Sequence, residues 1–137
     1  MAFVQIITIG AKTMRVLFIG EEPESVDFSD PALPAGLTAE KIQTGIDLAM
    51  HEMKERGWDA QLCLIQPDES AAAAVKQALS ELDFDCVVIG GGIRIPPKSL
   101  LLFEALVNAI HKAAPDAAIA FNTSPENTAT AAGRWLR

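Results

Sequence analysis

Only two cysteines occur in the chain, Cys63 and Cys86, each inside an apolar run and without CxxC spacing. That pattern gives no sign of a disulfide framework or a thiolate metal site, and two buried free thiols are the expectation. No apolar run approaches the ~18 consecutive residues that a membrane-spanning helix requires, so no membrane partner is expected. The opening, MAFVQIITIGAKTMRVLFIG, is apolar but lacks the positively charged start of a secretory signal, which predicts a cytoplasmic protein. Positive charge is scarce: 11 Lys and Arg stand against 18 Asp and Glu, a formal charge of −7. Such a surface repels phosphate backbones, which argues against nucleic acid and anionic lipid as partners. Histidine is confined to His51 and His111, both within helical spacing and beside Glu52 and Lys112. Neither shares a motif with a nucleophile, so nucleophilic hydrolysis has no visible apparatus.

Repeats, low-complexity tracts and dividing linkers are missing too. The 137 residues read as one α/β domain over 14–137, with 1–13 as an extension or an extra strand (FVQIITI, 3–9). What is present alternates. RVLFIG (15–20), DAQLCLI (59–65), FDCVVIG (84–90) and AAIAFN (117–122) are short unbroken apolar runs, which suit strands covered on both faces. Between them, 38–56 sets Ile42, Ile46, Ala49, Met50 and Met53 on one helical face and stops at Gly57. Residues 69–82 repeat the pattern with Val75, Leu79 and Leu82, and Asp68 stands where an N-cap belongs. Further helices are predicted over 97–113 and after Ser124-Pro125. Four strand–helix alternations with right-handed crossovers give a three-layer, doubly wound parallel sheet. The expected strand order is 2-1-3-4, with 3-2-1-4 as the alternative. The connection EEPESVDFSDPALPAGL (21–37) is long, and Phe28, Leu33 and Leu37 should anchor it across the carboxyl edge of the sheet.

CVVIGGGIRIPPKS (86–99) carries three glycines, two cations and a hydroxyl, the ingredients of an anion site. The dinucleotide fingerprint fails, because Ile95 stands where its third glycine belongs and the stretch follows the third strand rather than the first. Against G-x-x-x-x-G-K-[ST], the reading from Gly92 departs only at Pro97. Proline offers no N–H to a phosphate, and Pro96 removes a second donor from the same turn. Two readings remain. Either the turn lines a ligand site at the strand ends, with Arg94 and Lys98 supplying charge, or it is a tight turn whose cations pair with the acidic connection.

Glu21 and Glu22 follow the first strand, where receiver-type domains hold acidic metal ligands. The phosphoacceptor aspartate such domains need is replaced by Gly90 and Gly91, and Asp85 sits at the opposite strand end. Asn122 ends the fourth strand near the glycine turn and either contacts a ligand or satisfies local amides, whereas Ser124 reads as a cap. In SLLLFEALVNAIHKA, Glu104, Asn108, His111 and Lys112 form a narrow polar stripe into which Leu101 intrudes. The apolar arc holding Leu100, Leu102, Phe103, Leu106, Val107 and Ile110 is wider than one sheet contact requires. That width predicts a second surface, either a homodimer interface through Leu101, Leu102 and Leu106 or cover from the N-terminal segment.

From 15 to 136, most visibly in VDFSDPALPAGLTAEKI and CVVIGGGIRIPPKSLLLFEALVNAIHKAAP, the chain resembles a group of small microbial proteins with no known activity. The resemblance therefore implies no catalytic residue. In architecture the chain is similar to flavodoxin-like and Rossmann-like single domains, without the binding motifs of either. The expectation is a small polar or anionic ligand held by Glu21, Gly91, Gly92, Arg94 and Asn122. The alternative is a non-catalytic interaction module using helix 97–113. No cofactor motif is complete.

Overall fold

The computed structural model describes residues 12–136, and the extra strand expected over 3–9 lies outside the described residues. Four strands, β1 (Arg15–Glu21), β2 (Asp59–Ile65), β3 (Cys86–Ile89) and β4 (Ala118–Phe121), form one all-parallel sheet ordered β2-β1-β3-β4. The alternative order is thereby excluded. In register, Ile19 of β1 faces Cys63 on one side and Ile89 on the other.

Full cover on both faces is reached only in the centre, where residues 16–20 of β1 and all of β3 are buried. At the edge, β2 leaves Gln61 and Leu62 exposed although its sequence is nearly as apolar. An unbroken apolar run thus identifies a parallel strand but not its depth in the sheet.

Side chains of β1 alternate between two cores, as the period of a strand demands. Val16 and Phe18 meet Ile46, Ala49 and Met53 of α1 (Ala39–Glu55), together with Ala129, Ala131 and Ala132 of α4 (Thr128–Gly133). Leu17 and Ile19 meet Val75 and Leu79 of α2 (Ala71–Glu81), together with Leu106 and Ile110 of α3 (Leu100–Ala113). Two helices therefore cover each face. Among the described residues, no helix is long and apolar enough to cross a membrane. Cys86 is fully buried and Cys63 half-buried, both as free thiols, and burial pushes the Cys86 thiol up to about 11.

Helix boundaries follow from local chemistry. Thr38 Oγ1 accepts the Lys41 amide at 3.2 Å to start α1, and Gly57 at φ 83° ends the turn that follows it. For α2 the cap position falls at Ser70 rather than Asp68. The Asp68 carboxylate instead accepts the Ser70 amide at 2.8 Å, ordering the turn that leads into the helix. The helix expected over 97–113 begins as a separate 3₁₀ turn, Pro97–Ser99, before α3 proper.

The dimer residues require a correction. Leu106 is 0% exposed in the core and Leu102 packs partly against the same core, so neither presents a free surface like that of Leu101, which is 80% exposed. The broad apolar arc of α3 is real, but its second surface is α2, against which α3 packs while also covering the sheet.

Candidate functional site

In an open parallel sheet, a crevice forms at the carboxyl ends of the two strands from which the chain leaves in opposite directions. Here β1 leads to β2 on one side, whereas β3 lies on its other side and leads outward to β4, so the switch falls between β1 and β3. A cleft with a volume of ≈ 790 Å³ opens at that point. Phe18 and Gly20 contribute to it from β1, Gly90 from the turn after β3, Thr38 from the cap of α1, and Ile42 and Ile46 from the helix itself. Val26, Leu33 and Leu37 come from the β1–α1 connection, and Thr123 and Pro125 from the loop after β4.

The long connection lies over the carboxyl edge with Leu33 and Leu37 in the cleft lining, whereas Phe28, expected as a third anchor, is 41% exposed. Lys98 ties it down through Asp27 and, at 3.5 Å, through Asp30. The Lys98 hydrogen bond, aided by Ser29, holds the Asp27 carboxyl at about 2, well below the usual range. Lys98 is thus paired with the acidic connection.

Of the five expected site residues, Glu21, Gly91, Gly92 and Asn122 line the cleft. Arg94 stands outside the lining. Its Nη2 donates to the Asn122 carbonyl at 3.1 Å and its guanidinium lies 5.7 Å from the Phe121 ring centroid. The two cations read as one pair in the sequence therefore have different partners, a backbone carbonyl with a ring and a pair of carboxylates.

Asn122 is 1% exposed, and its side chain acts as a clamp. Oδ1 accepts the Gly91 amide at 2.7 Å, while Nδ2 donates to Thr128 Oγ1 at 2.9 Å. Thr128 in turn donates to the Pro125 carbonyl at 2.6 Å. This chain of bonds joins the turn after β3 to the loop after β4, and it gives Asn122 a positioning role. Gly91 is required by the resulting close approach: a Cβ there would lie 3.0 Å from the Thr123 carbonyl oxygen and 3.1 Å from Ile95 Cδ1. At Gly92 a Cβ would meet nothing within 4 Å.

The same turn is poorly suited to a phosphate. Gly91–Arg94 is one helical turn, and the amides of Ile93 and Ile95 already donate to the Gly90 and Gly91 carbonyls at 3.1 and 2.8 Å. With the Gly91 amide held by Asn122, three donors of a would-be nest are engaged.

Glu21 closes β1 and is only half-buried, with Ser25 Oγ donating to Oε2 at a long 3.4 Å. Burial, the largest influence on it, pushes its carboxyl above the ordinary range. The other charged lining groups are Glu40, Glu126 and Lys41, and Lys41 Nζ donates to the Gly36 carbonyl at 2.9 Å. No group of three or more His, Cys, Asp or Glu residues placed to hold a metal occurs among the described residues.

The apolar lining is what the sequence reading missed. Ile42 and Ile46 register there as a core stripe, and Leu33 and Leu37 as anchors of a loop. The usable signal is that this stripe begins at the first turn of α1, beside the end of β1, where the sheet has no further side chain to cover it. No known protein-family model matches the chain and no curated protein matches it, so the chemistry of the site rests on its own geometry.

Proposed function

We propose that the protein binds a small, largely apolar molecule in the cleft between the carboxyl ends of β1 and β3. The observation that carries this reading is the coincidence of the cleft with the switch in strand order. Its volume falls in the ~300–1,000 Å³ range of small-molecule sites, which also pair apolar walls with a few polar anchors. The expectation of a polar or anionic ligand shifts accordingly. Arg94 lies outside the lining, its Nη2 on the Asn122 carbonyl and its Nε buried without a partner among the described residues. Lys98 is held by Asp27 and Asp30, and aliphatic side chains from α1 and the β1–α1 connection dominate the walls. Among the described residues the lining holds no histidine or cysteine, and its hydroxyls, on Thr38, Thr44, Thr123 and Ser124, have no histidine base beside them, which supports binding rather than covalent catalysis.

A fragment screen by thermal shift tests the reading. A ligand at about 100 times its Kd should stabilise the native state by ~2.7 kcal/mol. Amide chemical-shift changes should then gather at Gly20, Gly92 and Leu37 and spare Arg15, Asp59 and Asp85 at the opposite end of the sheet. Hits that perturb only the far end, or a screen with no hit, remove the proposal.

A second reading, self-association or partner recruitment through the outer side of α3, is favoured by Leu101 at 80% and Leu100 at 56% exposure. On that reading Leu101→Glu converts a dimer to a monomer in light scattering. A wild-type chain that already runs as a monomer eliminates the homodimer.

A further inference from the structure

We infer that the β1–α1 connection (21–37) is a lid over the cleft that lifts about its two ends, with Lys98 as its latch; its effect on a bound molecule rests on the binding reading above. The connection folds on itself. The amides of Ser25, Asp30, Leu33 and Leu37 donate to the carbonyls of Glu22, Asp27, Asp30 and Pro34 at 2.9, 3.1, 3.1 and 3.3 Å. The Asp27 and Asp30 carboxylates also accept the amides of Ser29 and Ala32, at 3.0 and 2.9 Å. Among the described residues, no hydrogen bond joins residues 23–35 to anything outside the connection except the one from Lys98 to Asp27. Both ends, by contrast, are tied to the framework. The Glu22 amide donates to the Ile65 carbonyl at 2.9 Å, and Lys41 Nζ donates to the Gly36 carbonyl at 2.9 Å.

Burial follows the same division. Pro23 is buried at the near end, but every residue from 24 to 38 is exposed or half-buried. Val26, Leu33 and Leu37 are among the half-buried ones, and all three line the cleft. A segment with self-contained hydrogen bonds and few buried apolar contacts opens at far lower cost than the core beneath it. A second hollow, of ≈ 280 Å³, separates it from the turn after β3: Val26, Asp30 and Leu33 line one side, and Gly92, Pro96 and Lys98 the other. Lys98 bridges that gap. It sits in the turn Pro97–Ser99, between the buried Pro96 and α3, and reaches both Asp27 and Asp30. Ion pairs as exposed as Lys98–Asp27 are weak, which suits a latch that releases rather than a permanent brace.

Leu33→Cys places a thiol on the part of the lid that lines the cleft. Labelling with N-ethylmaleimide, followed peptide by peptide in mass spectrometry, reads how often that thiol is uncovered. In this background Lys98→Met should speed labelling at position 33 by about fivefold, the scale of an exposed ion pair, and Lys98→Arg should change it by less than about twofold. Sodium chloride at about 1 M should speed labelling in the chain that retains Lys98 but not in Lys98→Met. The buried Cys86 of the same molecules should label at an unchanged rate, because the lid opens without the core. A rate at position 33 that ignores Lys98→Met, or rises only in step with Cys86, overturns the lid. Should Leu33→Cys fold poorly, Val26→Cys poses the same question from the other side of the lid. Nile red, a neutral apolar dye, then reads what the lid does to an occupant. In stopped-flow fluorescence it should leave Lys98→Met about fivefold faster than the wild type. Faster labelling with unchanged dye release overturns gating of the cleft. If neither Nile red nor any screened fragment enters, the binding reading falls, and labelling at position 33 still decides the lid.

Discussion

Asn122→Ala is expected to lower the stability of the protein by about 3 kcal/mol, a drop of ~10 °C in melting temperature for a chain of this size. The side chain is 1% exposed and makes two bonds, accepting from Gly91 and donating to Thr128. Alanine leaves the Gly91 amide in the interior without its acceptor, and an orphaned buried donor costs about 1–3 kcal/mol. The Thr128 hydroxyl loses less, since it still donates to the Pro125 carbonyl. Removal of the amide volume beside Gly91, which has no side chain to fill the gap, contributes the remainder. Thr128→Val should cost less, ~1–2 kcal/mol, and the double variant should fall short of the sum because the two side chains share one bond. Urea denaturation of the three variants measures this directly. A loss below about 0.5 kcal/mol for Asn122→Ala would show that the clamp does not hold the turn.

Asn122 also shows where sequence reasoning stops. Its residue type and its place at the end of β4 are visible in the sequence, but the partner that matters, Gly91, lies 31 positions away. Asparagine after a strand has local partners in any turn, so the long-range bond has no signature of its own. Strand order was accessible for the opposite reason: four parallel strands joined by helices of one crossover hand leave few arrangements, of which 2-1-3-4 and 3-2-1-4 are the two to weigh. Arg94 and Lys98, four positions apart after one glycine turn, look interchangeable. Arg94 faces Phe121 and the Asn122 carbonyl, whereas Lys98 lies beyond Pro96 and Pro97, within reach of the β1–α1 connection. Only the path of the backbone through those prolines separates them. The cleft was the least accessible feature, because Val26, Leu33 and Ile42 converge from a loop and a helix whose relative placement is tertiary.

Leu106→Ala should destabilise the protein by about 2–5 kcal/mol without changing its oligomeric state, while Leu101→Ala should stay within ~0.5 kcal/mol. Both leucines belong to the same apolar stretch of α3, but they differ in what covers them. Leu106 is 0% exposed and shares a core with Leu17, Ile19, Val75 and Ile110, whereas Leu101 is 80% exposed. Truncation at 106 removes methyl groups between the sheet and a helix that α2 also holds in place, so the helix cannot easily move inward to close the gap. That places the expected cost in the upper half of the range. Urea unfolding followed by far-UV circular dichroism gives both values, and unchanged m-values would show that the same surface is exposed on unfolding in each variant. The reverse ranking, with Leu101→Ala costly and Leu106→Ala nearly silent, would mean that the face of α3 turned toward the sheet has been wrongly identified. The two cores, and with them the position of the switch cleft above the ends of β1 and β3, would then have to be redrawn.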